Sequence, residues 1–250
     1  MQYNIEAIAK MIDHSLLHPT MTDEDLEKGV QQAIYYKTAS VCIKPYAVPQ
    51  CAAWLKGTGV LVCTVIGFPH GSHTTVIKVA ETKLACEQGC DEIDMVVNIG
   101  KVLSGDWTYV ADEIRAINDE CLKHGAILKV IFENDYLKDE HKIKLCQICS
   151  EIPVAFVKTS TGYGYVKGDD GKFSTKGATL EDVALMLKHV APGVQEKAAG
   201  GVRSLDELMK MKELGVTRIG ATATAAIVEE ARKRNGLTSA EVSSTDKSGY

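Results

Sequence analysis

Two rhythms take turns along this chain. Short apolar runs of roughly four to eight residues, often β-branched, each give way to a longer stretch whose apolar positions recur three and four apart. The first rhythm reads as a buried parallel strand and the second as an amphipathic helix laid over it. A short helix is predicted over residues 4–11. Strands are predicted over 12–17, 40–43, 60–67, 91–98, 127–132, 152–157, 194–197 and 218–221. Helices are predicted between and after them, over 22–36, 45–56, 72–88, 107–124, 138–150, 180–189, 205–214 and 224–234. Thr22 starts the first long helix as an N-cap, with Asp25 three positions on completing a capping-box variant. Eight β-then-α units point to the α/β class and a (β/α)8 TIM barrel, a single domain over residues 1–236 behind a short N-terminal helix. A doubly wound open sheet is the alternative. It is weakened because neither G-x-G-x-x-G nor G-x-x-x-x-G-K-[ST] follows an early strand. Residues 237–250 are polar and small and read as a mobile tail.

Composition narrows the function. A formal net charge of -5 leaves no basic excess for phosphate backbones, so nucleic acid is not the expected partner. No apolar run approaches the roughly 20 residues of a membrane helix, and the N-terminus lacks the pattern of a signal peptide, so a cytoplasmic protein is expected. The eight cysteines lie in apolar contexts and read as reduced thiols. Cys146 and Cys149 form a C-x-x-C, and Cys86 and Cys90 are four apart, both in helical segments, where packing outweighs a zinc site. Of seven histidines, only His70 and His73 form a close pair near a strand end, without the further ligands a metal needs. No metal and no cofactor are expected.

Candidate chemistry collects where strands end, as the barrel architecture requires of an active site. Two apolar runs end on lysine, at Lys158 and Lys197. A lysine is rarely buried without a purpose, and an amine that is neutral near pH 7 is a nucleophile toward carbonyls. Lys158 therefore reads as a Schiff-base lysine and Lys197 as the neighbour that tunes it. Other strands bring Asp13 and Ser15, Cys42 and Lys44, Asp94 and Asn98, and Glu133 to the same mouth. Lys129, inside the fifth strand, reads as a salt-bridge partner of Glu133 or Asp94, and Cys42 as core packing or a thiol facing substrate. Gly200 and Gly201 follow the seventh strand, where barrels often bind phosphate through backbone N–H groups. Glu196 should point outward between barrel and helices, where a carboxylate is costly, and a salt bridge to an unidentified partner is expected.

With these residues in place, the sequence resembles the deoxyribose-phosphate aldolases over roughly residues 8–235. The likeness rests on Ile12-Asp13-His14-Ser15-Leu16-Leu17-His18-Pro19, Gly67-Phe68-Pro69-His70-Gly71, Glu92-Ile93-Asp94-Met95-Val96, Phe156-Val157-Lys158-Thr159-Ser160-Thr161-Gly162 and the segment from Lys197 to Arg203. The resemblance implies a metal-free class I aldolase, commonly dimeric, that reversibly cleaves 2-deoxy-D-ribose 5-phosphate to D-glyceraldehyde 3-phosphate and acetaldehyde. It implies Lys158 as the Schiff-base lysine, Lys197 as the ammonium that lowers its pKa, and Asp94 as part of the proton relay. Gly162, Gly200, Gly201 and Thr222 would hold the phosphate. Tyr250 matches members whose C-terminal tyrosine helps proton transfer. The chain departs from the family pattern at His18, at His70 and His73, and at Ala223 beside Thr222. It also carries a longer loop over residues 163–176, whose Lys167 or Lys172 could reach the anion. Two other functions stay open: a barrel sugar-phosphate lyase without a Schiff base, and a catalytically silent sugar-phosphate-binding barrel.

Overall fold

The computed structural model describes residues 2–168 and 170–237. The expected tail from residue 238 onward, with Tyr250, lies outside them. The chain order is α1 (Ile5–Ala9), β1 (Ile12–Leu16), α2 (Asp23–Tyr36), β2 (Ser40–Ile43), α3 (Val48–Leu55), β3 (Leu61–Ile66), α4 (Thr75–Glu87), β4 (Glu92–Val96), α5 (Ile99–Leu103) and α6 (Trp107–Lys123). It continues with β5 (Ile127–Ile131), α7 (Asp139–Glu151), β6 (Phe156–Lys158), α8 (Leu180–His189), β7 (Gln195–Ala199), α9 (Leu205–Leu214), β8 (Arg218–Ala221) and α10 (Thr224–Arg234). The eight strands pair in parallel and close, β1 against β2 on one side and β8 on the other. This is the (β/α)8 TIM barrel.

Local chemistry explains the element starts. Thr22 takes a hydrogen bond from the Asp25 N–H while the Asp25 side chain takes one from the Thr22 N–H. Ser204 and Glu207 form the same reciprocal pair at α9, and Asp106 caps α6. Each cap satisfies N–H groups that a helix start leaves open. The outward sides of the strands pack with the helices into two large apolar clusters. One is built around β2–β6, and the other links α1, α9 and α10 with β1 and β8.

Two expectations need correction. The sixth strand does not begin at 152: α7 runs to Glu151, Ile152 caps it, and only Phe156–Lys158 joins the barrel. The apolar 152–155 stretch buries Ile152 and Val154 beneath the helix end instead. The loop over 163–176 contains a small antiparallel hairpin, Val166–Lys167 against Phe173–Ser174, and α5 occupies a stretch read as connection. The barrel interior departs from the usual pattern. Barrel centres are usually filled with branched apolar residues. Here the inward positions of β1, β4, β5, β7 and β8 supply Asp13, Glu92, Asp94, Lys129, Lys197 and Arg218, which form one ionic network.

Candidate active site

Side chains alternate along a strand, so the parallel register decides which of them meet inside the barrel. Asp94 on β4 stands beside Lys129 on β5, Lys158 on β6 beside Lys197 on β7, and Lys197 beside Arg218 on β8. The inward groups converge on Asp94, which is fully buried. Its Oδ2 accepts from Lys158 Nζ at 2.8 Å and from Lys197 Nζ at 2.7 Å. Its Oδ1 accepts from Lys129 Nζ at 3.0 Å and lies 3.2 Å from Cys63 Sγ.

A second carboxylate, Asp13, extends the network. Its Oδ2 pairs with Lys197 Nζ at 2.6 Å and Lys129 Nζ at 3.4 Å. Its Oδ1 accepts from Arg218 at 2.6 Å and from the Ser40 hydroxyl at 2.6 Å. Glu92 closes the base of the network, accepting from Lys129 at 2.6 Å and from both Arg218 terminal nitrogens. Burial opposes ionisation of Asp13 and Asp94, yet the surrounding ammonium and guanidinium groups hold both carboxyls well below the usual carboxylate range. Burial likewise pulls on Lys129 and Lys197, and the carboxylates overcome it, pushing both above the usual lysine value. The charged forms of Lys129, Lys197 and Arg218 are thereby favoured.

Above the network opens a cavity of about 240 Å³ at the C-terminal mouth of the barrel. Lys158 and Lys197 reach its floor, along with Asp13, Ser15 and Cys42. Gly162, Gly200, Gly201 and Thr222 line it as well. Lys129 is not in the wall. It is fully buried among Asp13, Glu92, Asp94 and Cys63 and acts as the counter-charge under the site.

Its expected alternative partner, Glu133, is elsewhere. Glu133 follows β5 in the left-handed conformation, φ 61°, which turns its side chain toward β6. There it accepts hydrogen bonds from the Thr161 N–H and hydroxyl. Burial pushes its carboxyl up to about 7. Gly164 passes so close that a Cβ would stand 2.7 Å from the Glu133 carboxyl carbon.

The segment that carries the hairpin forms a strap whose two ends border the cavity. Glu133 holds one end at Thr161. Asp135, two residues further on, accepts from the Thr175 hydroxyl and the N–H groups of Lys176 and Gly177 at the other. Gly177 lies against the backbone of Gly200, where a Cβ would meet the Gly200 carbonyl oxygen at 2.4 Å. Lys167 and Lys172 sit on the exposed hairpin and do not line the cavity; Lys176 and Arg203 do. Alternation along β8 could have placed Arg218 in the network. Nothing in the sequence distinguished Lys176 from the other lysines of its loop.

Glu196 overturns its expectation. It is fully buried on the outer face of β7, and among the described residues neither carboxyl oxygen has a hydrogen-bond partner. Burial, helped by nearby Asp182, pushes its carboxyl up to about 9, so it is carried as a neutral acid.

Among the described residues, two sets of donors are close enough to surround a metal ion: Cys42, Cys63 and Asp94, and Asp13, Cys63 and Glu92. Both sets already answer the charges of Lys129, Lys197 or Arg218, so the donor chemistry disfavours a further cation. Cys146 and Cys149 are buried and belong to neither set, and burial pushes both thiols up.

Comparison with known proteins agrees with this geometry. Residues 7–238 match the family model described as "DeoC/LacD family aldolase". A deoxyribose-phosphate aldolase of Rhodopirellula baltica is 52% identical over 248 residues, covering 99% of each chain. One from Clostridium perfringens is 45% identical, covering 90% of this chain and 95% of its own. The solved deoxyribose phosphate aldolase of Aeropyrum pernix, described as tetrameric, superposes with a TM-score of 0.81 at 28% identity, over 92% of this chain and 93% of that one. Together with the closed barrel and the lysines at its mouth, these likenesses establish that the chain belongs to the DeoC/LacD family of aldolases.

Proposed function

We propose that this aldolase reversibly cleaves 2-deoxy-D-ribose 5-phosphate to D-glyceraldehyde 3-phosphate and acetaldehyde through a Schiff base on Lys158. One observation carries the reading: Lys158 and Lys197 stand side by side on the cavity floor and share a single oxygen of the buried Asp94. The pattern of ion pairs supports the choice of nucleophile. The network has three carboxylates, Asp13, Glu92 and Asp94, already matched by Lys129, Lys197 and Arg218. Of the four basic side chains of this network, Lys158 has the fewest carboxylate contacts among the described residues, one, to Asp94.

The neutral amine adds to the carbonyl carbon of the open-chain sugar, and loss of water leaves an iminium. The iminium draws in the electron pair of the breaking C–C bond, so cleavage yields an enamine in place of a bare carbanion. Protonation of the enamine carbon and hydrolysis release acetaldehyde and return the amine. Asp94 and Lys197, bridged at one oxygen, carry the protons. At the phosphate end, the backbone around Gly162, Gly200 and Gly201, with Thr222, supplies hydrogen-bond donors, and Lys176 and Arg203 supply charge. The reaction needs no metal in this scheme, because the iminium replaces the Lewis acid.

The same reading places the protein in deoxyribose phosphate catabolism in the cytoplasm, where a reducing pool suits its free thiols. A homodimer would cover the exposed apolar residues of α4, Val76, Ile77 and Leu84, and light scattering tests it. No described helix is long and apolar enough to cross a membrane.

The test of the chemistry is borohydride reduction in the presence of acetaldehyde, followed by peptide mass mapping. A reduced two-carbon adduct on Lys158, formed equally in EDTA, is the expected outcome. Aldol activity that resists borohydride and is lost in EDTA would replace this reading with a metal-dependent lyase. Binding of sugar phosphate with neither adduct nor turnover would leave a silent barrel.

A further inference from the structure

The barrel register sets Cys42 on β2 directly beside Cys63 on β3. Both side chains face the interior, and their sulfurs lie within 4.8 Å of each other and of an Asp94 oxygen. Cys42 lines the substrate cavity, whereas Cys63 is fully buried behind it. We propose that this pair is a redox-modification site: a peroxide entering the cavity oxidises Cys42, and Cys63 resolves it to a Cys42–Cys63 disulfide that inactivates the aldolase reversibly.

Geometry favours the bond. Adjacent strands run about 4.7–4.9 Å apart. Disulfides span Cα separations of about 4.4–6.8 Å with Cβ separations of about 3.5–4.5 Å. Neighbouring positions in register therefore meet the first requirement and need only a small approach to meet the second. That approach strains the bond, and strained disulfides are readily reduced.

The electrostatics divide the roles. The hydrogen bond from Cys63, aided by nearby Lys197 and Lys158 against burial, lowers the Cys42 thiol from its ordinary value. Burial, the same bond and Asp94 push the Cys63 thiol up. Cys42 is thus the attacking sulfur and Cys63 the resolving one.

The chemistry closes with a peroxide as oxidant. The Cys42 thiolate attacks one peroxide oxygen and breaks the O–O bond, giving a sulfenic acid and hydroxide, which takes up the Cys42 proton as water. The Cys63 sulfur then attacks the Cys42 sulfur and breaks its S–O bond, and the leaving hydroxide departs as water with the Cys63 proton. Two thiols lose two electrons and one hydrogen peroxide gains them. The disulfide withdraws the sulfur contact that Cys63 makes with Asp94 Oδ1 at 3.2 Å and with Lys129 at 3.2 Å, so the oxygen that anchors the lysine network is disturbed.

The test treats the full chain with hydrogen peroxide and maps its peptides without reduction, following turnover in parallel. The expected result is a cross-linked peptide pair joining Cys42 to Cys63, activity lost in proportion to it, and recovery of both on adding dithiothreitol. In a Cys63→Ala variant, scored against its own untreated activity, dimedone should capture the sulfenic acid on Cys42 and no cross-link should form. Absence of the cross-link in the unsubstituted chain overturns the proposal. So does a cross-link without loss of turnover, or inactivation that dithiothreitol does not reverse. Only the effect on turnover rests on the aldolase reading; the peptide map reports the bond even if that reading fails.

Discussion

Glu196 and Lys197 are neighbours on β7, both buried, and they face opposite worlds. Lys197 points into the barrel, where Asp13 and Asp94 meet it at 2.6 and 2.7 Å. Glu196 points outward toward the helices and meets no hydrogen-bond partner among the described residues. The inward residue keeps its charge because opposite charges surround it. The outward one gives its charge up, held as an acid to about pH 9. Burial alone therefore does not decide ionisation; the neighbours that a period of two selects do.

The largest expected effect lies on the inward face. Lys158→Leu should abolish both turnover and borohydride trapping with acetaldehyde while leaving the fold intact by circular dichroism; retained trapping would move the nucleophile elsewhere. Asp94→Asn removes the anion that three lysines share. It should lower kcat by roughly 10²–10⁴-fold and cost about 3–5 kcal/mol in urea unfolding, because buried cations lose their partner.

On the outward face the sign reverses. Glu196→Met should stabilise the fold by roughly 1–3 kcal/mol at pH 8, since an apolar side chain replaces an unpartnered acid. The pH dependence sharpens this contrast. The Glu196 carboxyl is raised from 4.5 to about 9, so the folded protein holds a proton that the unfolded chain releases across that window. Its contribution to stability therefore falls as pH rises from about 4.5 to about 9, and the Met variant should lack that slope in Tm measured against pH. An unchanged slope would mean that Glu196 is paired after all. The smallest effect separates two lysines of the strap. Lys176→Ala should raise KM for the phosphorylated substrate several-fold, a loss of about 1 kcal/mol, with kcat little changed. Lys172→Ala, away from the cavity wall, should leave both unaltered.

The sequence made the barrel legible because its strands are apolar runs and its helices carry caps such as Thr22–Asp25. Lys158 could be singled out as a charge at the end of an apolar run, and Lys197 and Asp94 by their places on strands leading to the barrel mouth, although Glu196 and Glu92 share those strands. Pairing was harder to read. Lys129 looked equally suited to Glu133 and to Asp94, and the choice turned on the left-handed backbone of Glu133, which the residue type does not announce. Arg218 was hidden in the same way, as the first residue of a strand read only for its apolar centre. The strap was opaque throughout, because its place beside the cavity depends on contacts with Asp135 and Gly200, more than twenty residues away along the chain.

That strap starts and finishes on the same short turn, held by Glu133 at one end and Asp135 at the other. Its two feet are thus fixed close together whatever lies between them, and lengthening such a closed loop adds only about 0.6 kcal/mol for each doubling. The turn after β5 works as a socket into which hairpins of different length and sequence can be fitted. Grafting there is a route to altered substrate preference that leaves Lys158, Asp94 and the rest of the barrel untouched.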